Sequence, residues 1–88
     1  KKIQLMNFNN AAQRVKMLFL MLSETYGEQC ADGTVLRIKL IHQDIADMTG
    51  LTRETVTRIL DKWRRSGEIE IGKNKNILLK GEFESIAF

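Results

Sequence analysis

Between His42 and Trp63 the apolar residues Ile45, Ala46, Met48, Leu51, Val56, Ile59, Leu60 and Trp63 recur at spacings of three and four. That period marks the buried faces of two short amphipathic helices. Gly50 stands where the first must stop, because glycine enters the left-handed conformation at a helix end cheaply. Thr52 can cap the second helix, its hydroxyl accepting a backbone N–H from Glu54 or Thr55. A helix, a Gly-containing turn and a second capped helix spell a helix-turn-helix.

The rest of the chain supplies the frame. Asn9 or Asn10 can cap a helix running to Tyr26, with Ala11, Val15, Leu18, Phe19 and Leu22 on one helical period. Met17, Leu20 and Met21 widen its apolar arc, which predicts cover on more than one side or contact with a neighbouring domain. Gly27 ends it, and a loop over 28–33 follows. Thr34 to Ile41 alternates as a strand around Arg37 and Lys39. Arg64 and Arg65 close the second motif helix against its dipole, and Ser66-Gly67 terminates it. Ile69 and Ile71 alternate with Glu68 and Glu70, the segment from Gly72 to Asn76 carries a turn signal, and Ile77 to Leu79 returns. The hairpin is a wing tipped with Lys73 and Lys75, and residues 82–88 suit one more helical turn. The predicted order is helix, strand, helix, helix, strand, strand. The fold class is α+β, a winged helix-turn-helix that is mostly helical with a small antiparallel β wing.

Composition narrows the class. Eighty-eight residues with 43% hydrophobic and 28% charged side chains suit one folded domain. No apolar run is long enough for a membrane span, so no membrane association is expected. The single Cys30 allows neither an internal disulfide nor a multi-cysteine metal site, and a free thiol suits a reducing cytoplasm. The lone His42 has no companion ligand, so it is expected to cap a helix or touch a phosphate, and no metal is expected. One His, one Cys and no convincing carboxylate pair leave nothing for acid–base or nucleophilic chemistry, which argues against an enzyme. The net charge is only +3, yet Arg37 to Lys80 holds ten Lys/Arg against six Asp/Glu, an excess of four. A local basic excess on a helix-turn-helix is the footprint of a polyanion binder, here double-stranded DNA.

With Val56, Ile59, Leu60 and Trp63 turned inward, Arg53, Glu54, Thr57 and Arg58 fall on the opposite side, near the start of the second motif helix. A recognition helix presents base-reading side chains from that end. Arg donates twice to guanine O6 and N7, Glu accepts from cytosine N4, and Thr is small enough to meet a thymine methyl. Glu54 is the informative member, because a carboxylate near phosphates weakens a purely electrostatic binder. Its bland role is an exposed i,i+4 pair with Arg58. Phosphate contacts are expected from Thr52, Thr55, Gln43, His42, Lys39, Lys73 and Lys75, with Arg37 at the flank. Lys62, Arg64 and Arg65 read as solvated charges.

The run Thr52-Arg53-Glu54-Thr55-Val56, followed by Arg58-Ile59-Leu60, resembles the recognition helix of the cyclic-AMP receptor protein and fumarate–nitrate regulator (CRP/FNR) superfamily of bacterial transcription factors. Ile38-Lys39, Gln43-Asp44-Ile45-Ala46, Gly50 and the compact hairpin with Gly72 extend the resemblance over about residues 5–80. The resemblance implies a cytoplasmic homodimer that binds a two-fold symmetric site and recruits or blocks RNA polymerase. It implies Arg53 and Arg58 on guanines and Glu54 on a complementary cytosine of a TGTGA-like half-site, and it places 29–36 where the family can meet the polymerase α subunit. It also implies an N-terminal effector domain and a long dimerisation helix outside these residues. Residues 1–8 are then the end of that helix or its hinge, 9–88 are the winged helix, and any effector binds elsewhere, with no cofactor in this stretch. The chain opens on Lys1-Lys2 rather than methionine, which fits that expectation. The rival reading is a winged-helix protein-interaction module without sequence-specific DNA binding, working through the first helix and an apolar tail at Ile86 and Phe88.

Overall fold

The computed structural model describes residues 10–72, 76–81 and 83. Helix α1 spans Ala11–Tyr26, opened by Asn10, whose Oδ1 accepts the N–H groups of Ala12 at 2.7 Å and Gln13 at 3.2 Å. Strands β1 (Gly27–Cys30) and β2 (Gly33–Leu36) follow, then helices α2 (His42–Thr49) and α3 (Arg53–Arg65), then strands β3 (Ile69–Ile71) and β4 (Ile77–Lys80). The four strands form one antiparallel sheet in the order β1-β2-β4-β3. The fold class is the α+β winged helix-turn-helix expected from the sequence, with a larger sheet.

Two differences have physical causes. Residues expected to form a loop hold β1, a strand exposed at all four positions. With no buried face, Glu28, Gln29 and Cys30 carry no alternation to read, and pairing to β2 alone makes them a strand. Conversely, the strand expected over Thr34 to Ile41 ends at Leu36. Ile38 and Leu40 still pack on the core, Leu40 at 7% exposure, but from an irregular connection. Alternation records burial, and here burial is achieved without a hydrogen-bonded partner strand.

Gly27 closes α1 by proximity rather than by a left-handed turn. Its backbone is extended, and an added Cβ would lie 2.3 Å from the Ser23 carbonyl oxygen. Gly33 is confined similarly, since a Cβ there would sit 2.0 Å from the Leu79 carbonyl where β2 meets β4.

The core gathers Val15 and Phe19 of α1, Leu36 and Leu40, Ile45 and Ala46 of α2, and Val56, Leu60 and Trp63 of α3. Ile69, Ile77 and Leu79 of the wing and Phe83 complete it. No buried polar or charged residue interrupts it among the described residues. Phe19, Trp63 and Phe83 form an aromatic cluster, with Trp63 edge-on to Phe83 at 5.2 Å and 88°. The expected motif faces hold except at Met48, which is 54% exposed, while Leu51 and Ile59 are partly buried against the core. Met48 lies beyond the arc that faces α1 and α3. On α1 the wide arc is covered at Leu18, Leu20 and Leu22, whereas Met17 and Met21 remain exposed at 53% and 63%.

The wing hairpin is β3 and β4, closed by a Gly72 N–H donating to the Asn76 carbonyl at 3.0 Å. Lys80 pairs with Glu70 across it at 3.3 Å. Lys73 and Lys75 lie outside the described residues, as do the hinge over 1–8 and, apart from the buried Phe83, the helical turn expected over 82–88 with Ile86 and Phe88.

Candidate nucleic-acid interface

The motif is built as its residues require. The Gly50 backbone is left-handed, with φ 75° and ψ 25°, and its N–H donates to the Ala46 carbonyl. From α1, Arg14 Nη1 donates to the Thr49 carbonyl at 3.3 Å, which ties the end of α2 to the scaffold. At the other end of α2 the cap position is Ile41, which has no side-chain oxygen to offer. Only the reciprocal half of a capping box therefore forms, with the Ile41 N–H donating to an Asp44 carboxylate oxygen at 3.1 Å. His42 is thus not the cap; it is the first residue of the helix.

Gly50→Ala tests the turn alone. An added methyl meets nothing closer than Arg14 Nη1 at 3.9 Å, so the penalty is the left-handed backbone itself. A loss of about 1–2 kcal/mol in urea unfolding is expected, with Gly50→Asn milder because Asn tolerates that conformation.

Helix α3 opens at Thr52, whose Oγ1 accepts the Thr55 N–H at 3.1 Å and donates to Thr55 Oγ1 at 2.9 Å. Arg58 Nη2 also donates to Thr55 Oγ1, at 3.5 Å. Thr55 Oγ1 thereby accepts two bonds, and its own hydroxyl hydrogen remains to donate outward. That polarity suits a phosphate oxygen.

Val56, Leu60 and Trp63 are buried, and Arg53, Glu54 and Arg58 are exposed on the outer face. Arg53 and Glu54 have no hydrogen-bond or ion-pair partner among the described residues, and the i,i+4 pair between Glu54 and Arg58 does not form. Its absence leaves the carboxylate and both guanidinium groups available. Thr57 is half-buried and bonded to His42, Nδ1 to Oγ1 at 2.8 Å.

A groove of about 730 Å³ runs between α3, the start of α2 and the wing. Leu40, Ile41, Ile45, Leu60, Ile71 and Ile77 form its apolar side, and Arg53, Glu54, Thr57, Arg58, His42 and Gln43 its polar side. The structure therefore brings all four expected base-reading residues together with two of the expected phosphate contacts. Thr52, Thr55 and the exposed Lys39 lie outside it. Gln43 Nε2 donates to Asp47 at 2.9 Å along α2. Arg37 forms an ion pair with Glu28 on β1 and does not line the groove. The sequence reading missed the His42–Thr57 bond, since nothing in a pattern of spacings shows which side chains meet between two helices.

The family model described as Crp-like helix-turn-helix domain matches residues 13–82. The global nitrogen regulator of Nostoc sp. is 38% identical over 73 residues, which cover 83% of this chain and 33% of that protein. The anaerobic regulatory protein of Bacillus subtilis is 37% identical over 60 residues, covering 68% and 25% respectively. Both are regulators by name. Among solved structures, oxidized CprK in complex with o-chlorophenolacetic acid superposes with a TM-score of 0.82 at 26% identity, covering 96% of this chain and 36% of that one. CooA, the CO-dependent transcription factor of Carboxydothermus hydrogenoformans, gives 0.77 at 26% identity, with 94% and 39% covered. The chain spans about a third of the length of the nitrogen regulator it matches.

Proposed function

The chain belongs to the Crp-like helix-turn-helix domains, a family of transcription-regulator domains, and we propose that it reads a TGTGA-like half-site as one arm of a homodimer. Arg53 and Arg58 donate to guanines, Glu54 accepts from a complementary cytosine, and Thr57 contacts the middle of the half-site. Thr52, Thr55, Gln43, His42 and Lys39 hold phosphates around them, joined by Lys73 and Lys75. Residues 1–8 join this domain to a sensor region, and the bound dimer recruits or obstructs RNA polymerase in a bacterial cytoplasm.

The observation that carries the reading is the outer face of α3. Arg53 and Glu54 are exposed and unpaired among the described residues, and Arg58 makes only a 3.5 Å contact to Thr55. A solvated helix with no task would gain a few tenths of a kcal/mol by closing the Glu54–Arg58 pair. Left open, the three present complementary donors and acceptors to base edges.

Selection of bound duplexes from a random pool tests this directly. The expected product is a two-fold site with TGTGA-like halves about one helical turn apart. Enrichment of no sequence, or of an unrelated motif, would sink the base assignment. Binding should also weaken linearly in a plot of log affinity against log salt, as phosphate contacts release counterions. Lys39→Ala should lower that slope by about 1 and weaken specific and random duplexes alike. An unchanged slope would remove Lys39 from the contact set.

A further inference from the structure

We infer that His42 is a specificity-positioning residue, setting through its Nδ1 bond which face of Thr57 is offered to the DNA. The inference rests on Thr57 lying at the base-reading face, as proposed above, and goes beyond it in giving His42 two separate tasks on its two ring nitrogens.

Threonine in a helix has two accessible χ1 rotamers, because its hydroxyl can turn back to a carbonyl three or four residues earlier. Two other helix hydroxyls in this chain do so. Thr49 Oγ1 donates to the Ile45 carbonyl at 2.7 Å, and Ser23 Oγ donates to the Leu20 carbonyl at 2.6 Å. Thr57 does not. Its Oγ1 lies 2.8 Å from His42 Nδ1, and among the described residues this is the one side-chain to side-chain hydrogen bond joining α2 to α3. With χ1 held, the methyl and the hydroxyl keep one arrangement instead of exchanging between two.

The partner is well placed to stay. His42 is the first residue of α2, a helix anchored by Ile45 and Ala46 in the core. It shares the groove with Arg53, Glu54, Thr57 and Arg58. The bond occupies Nδ1, while Nε2 has no hydrogen-bond partner among the described residues and is the nitrogen left for a phosphate. One imidazole thus joins a sequence-independent contact to the orientation of a sequence-reading one.

Amide side chains can separate the two tasks. The amide of Asn reaches about as far as Nδ1, and that of Gln about as far as Nε2. In the full-length protein, His42→Asn should keep the base preference at the position sensitive to Thr57→Val, while weakening all duplexes. His42→Gln should lose roughly three- to tenfold of that preference, the span of one neutral hydrogen bond. In a Thr57→Val background His42→Gln should change the preference no further. The inference is overturned if Asn and Gln alter the preference equally, if neither alters it, or if no position responds to Thr57→Val. Failure of the underlying reading looks different, because Arg58→Ala would then leave selectivity intact at every base pair.

Discussion

Replacing Arg58 by alanine is expected to collapse discrimination between the selected site and random DNA while leaving the fold in place. The side chain is exposed and contributes only a 3.5 Å bond to Thr55, so its loss opens no cavity. One bidentate Arg–guanine contact is worth roughly 1–3 kcal/mol of discrimination. The proposed homodimer on a two-fold site loses it twice, which multiplies to between about 30-fold and 20,000-fold. Arg58→Lys separates charge from geometry. Lysine keeps the positive charge but lacks the planar fork, so general affinity should persist and selectivity should not. Dissociation constants against duplexes substituted one base pair at a time give the readout. Equal weakening of every duplex by both variants would make Arg58 a phosphate contact and move base reading to another face.

The outer face of α3 was legible in the sequence because two constraints acted on the same thirteen residues. Val56, Leu60 and Trp63 had to face inward, which fixed the side left to Arg53, Glu54 and Arg58. Capping chemistry added the ends, and Asn10, Gly50 and Thr52 perform there as their residue types required. In each case a local rule and a burial pattern agreed.

Legibility failed where one of the two was missing. Strand β1 has no buried face, and its existence depends on pairing with β2, whose partner residues lie three to nine positions further along the chain. The stretch from Arg37 to Ile41 had the alternation of a strand and lost the partner. Met48, Met17 and Met21 had apolar character without a place in the core, since periodicity gives the direction of a side chain and not what lies opposite. Arg37 looked free for DNA until Glu28 was brought beside it by the unforeseen hairpin. The His42–Thr57 bond is of the same kind, a contact between elements fifteen residues apart.

Trp63→Ala should act through stability instead of reading. Trp63 is 3% exposed, lies 6.3 Å from Phe19 between ring centres and stands edge-on to Phe83, so truncation empties the middle of the aromatic cluster. A loss of about 3–5 kcal/mol is expected for Trp→Ala at such a position. Set against a typical total near 5–15 kcal/mol, that is a large share for a domain of this size. The midpoint of thermal unfolding followed by far-UV circular dichroism should fall by at least about 12 °C, at about 4 °C or more per kcal/mol. Trp63→Phe keeps one ring in the cluster and should lose clearly less. The decisive comparison is with Arg58→Ala. Trp63 sits near the C-terminal end of α3, away from the outer face that carries Arg53, Glu54 and Arg58. At a temperature where the Trp63 variant remains folded, its ratio of specific to random affinity should match the parent. A stable Trp63→Ala protein with altered base preference would mean that the aromatic cluster sets the angle at which α3 meets DNA, and that core and code are coupled.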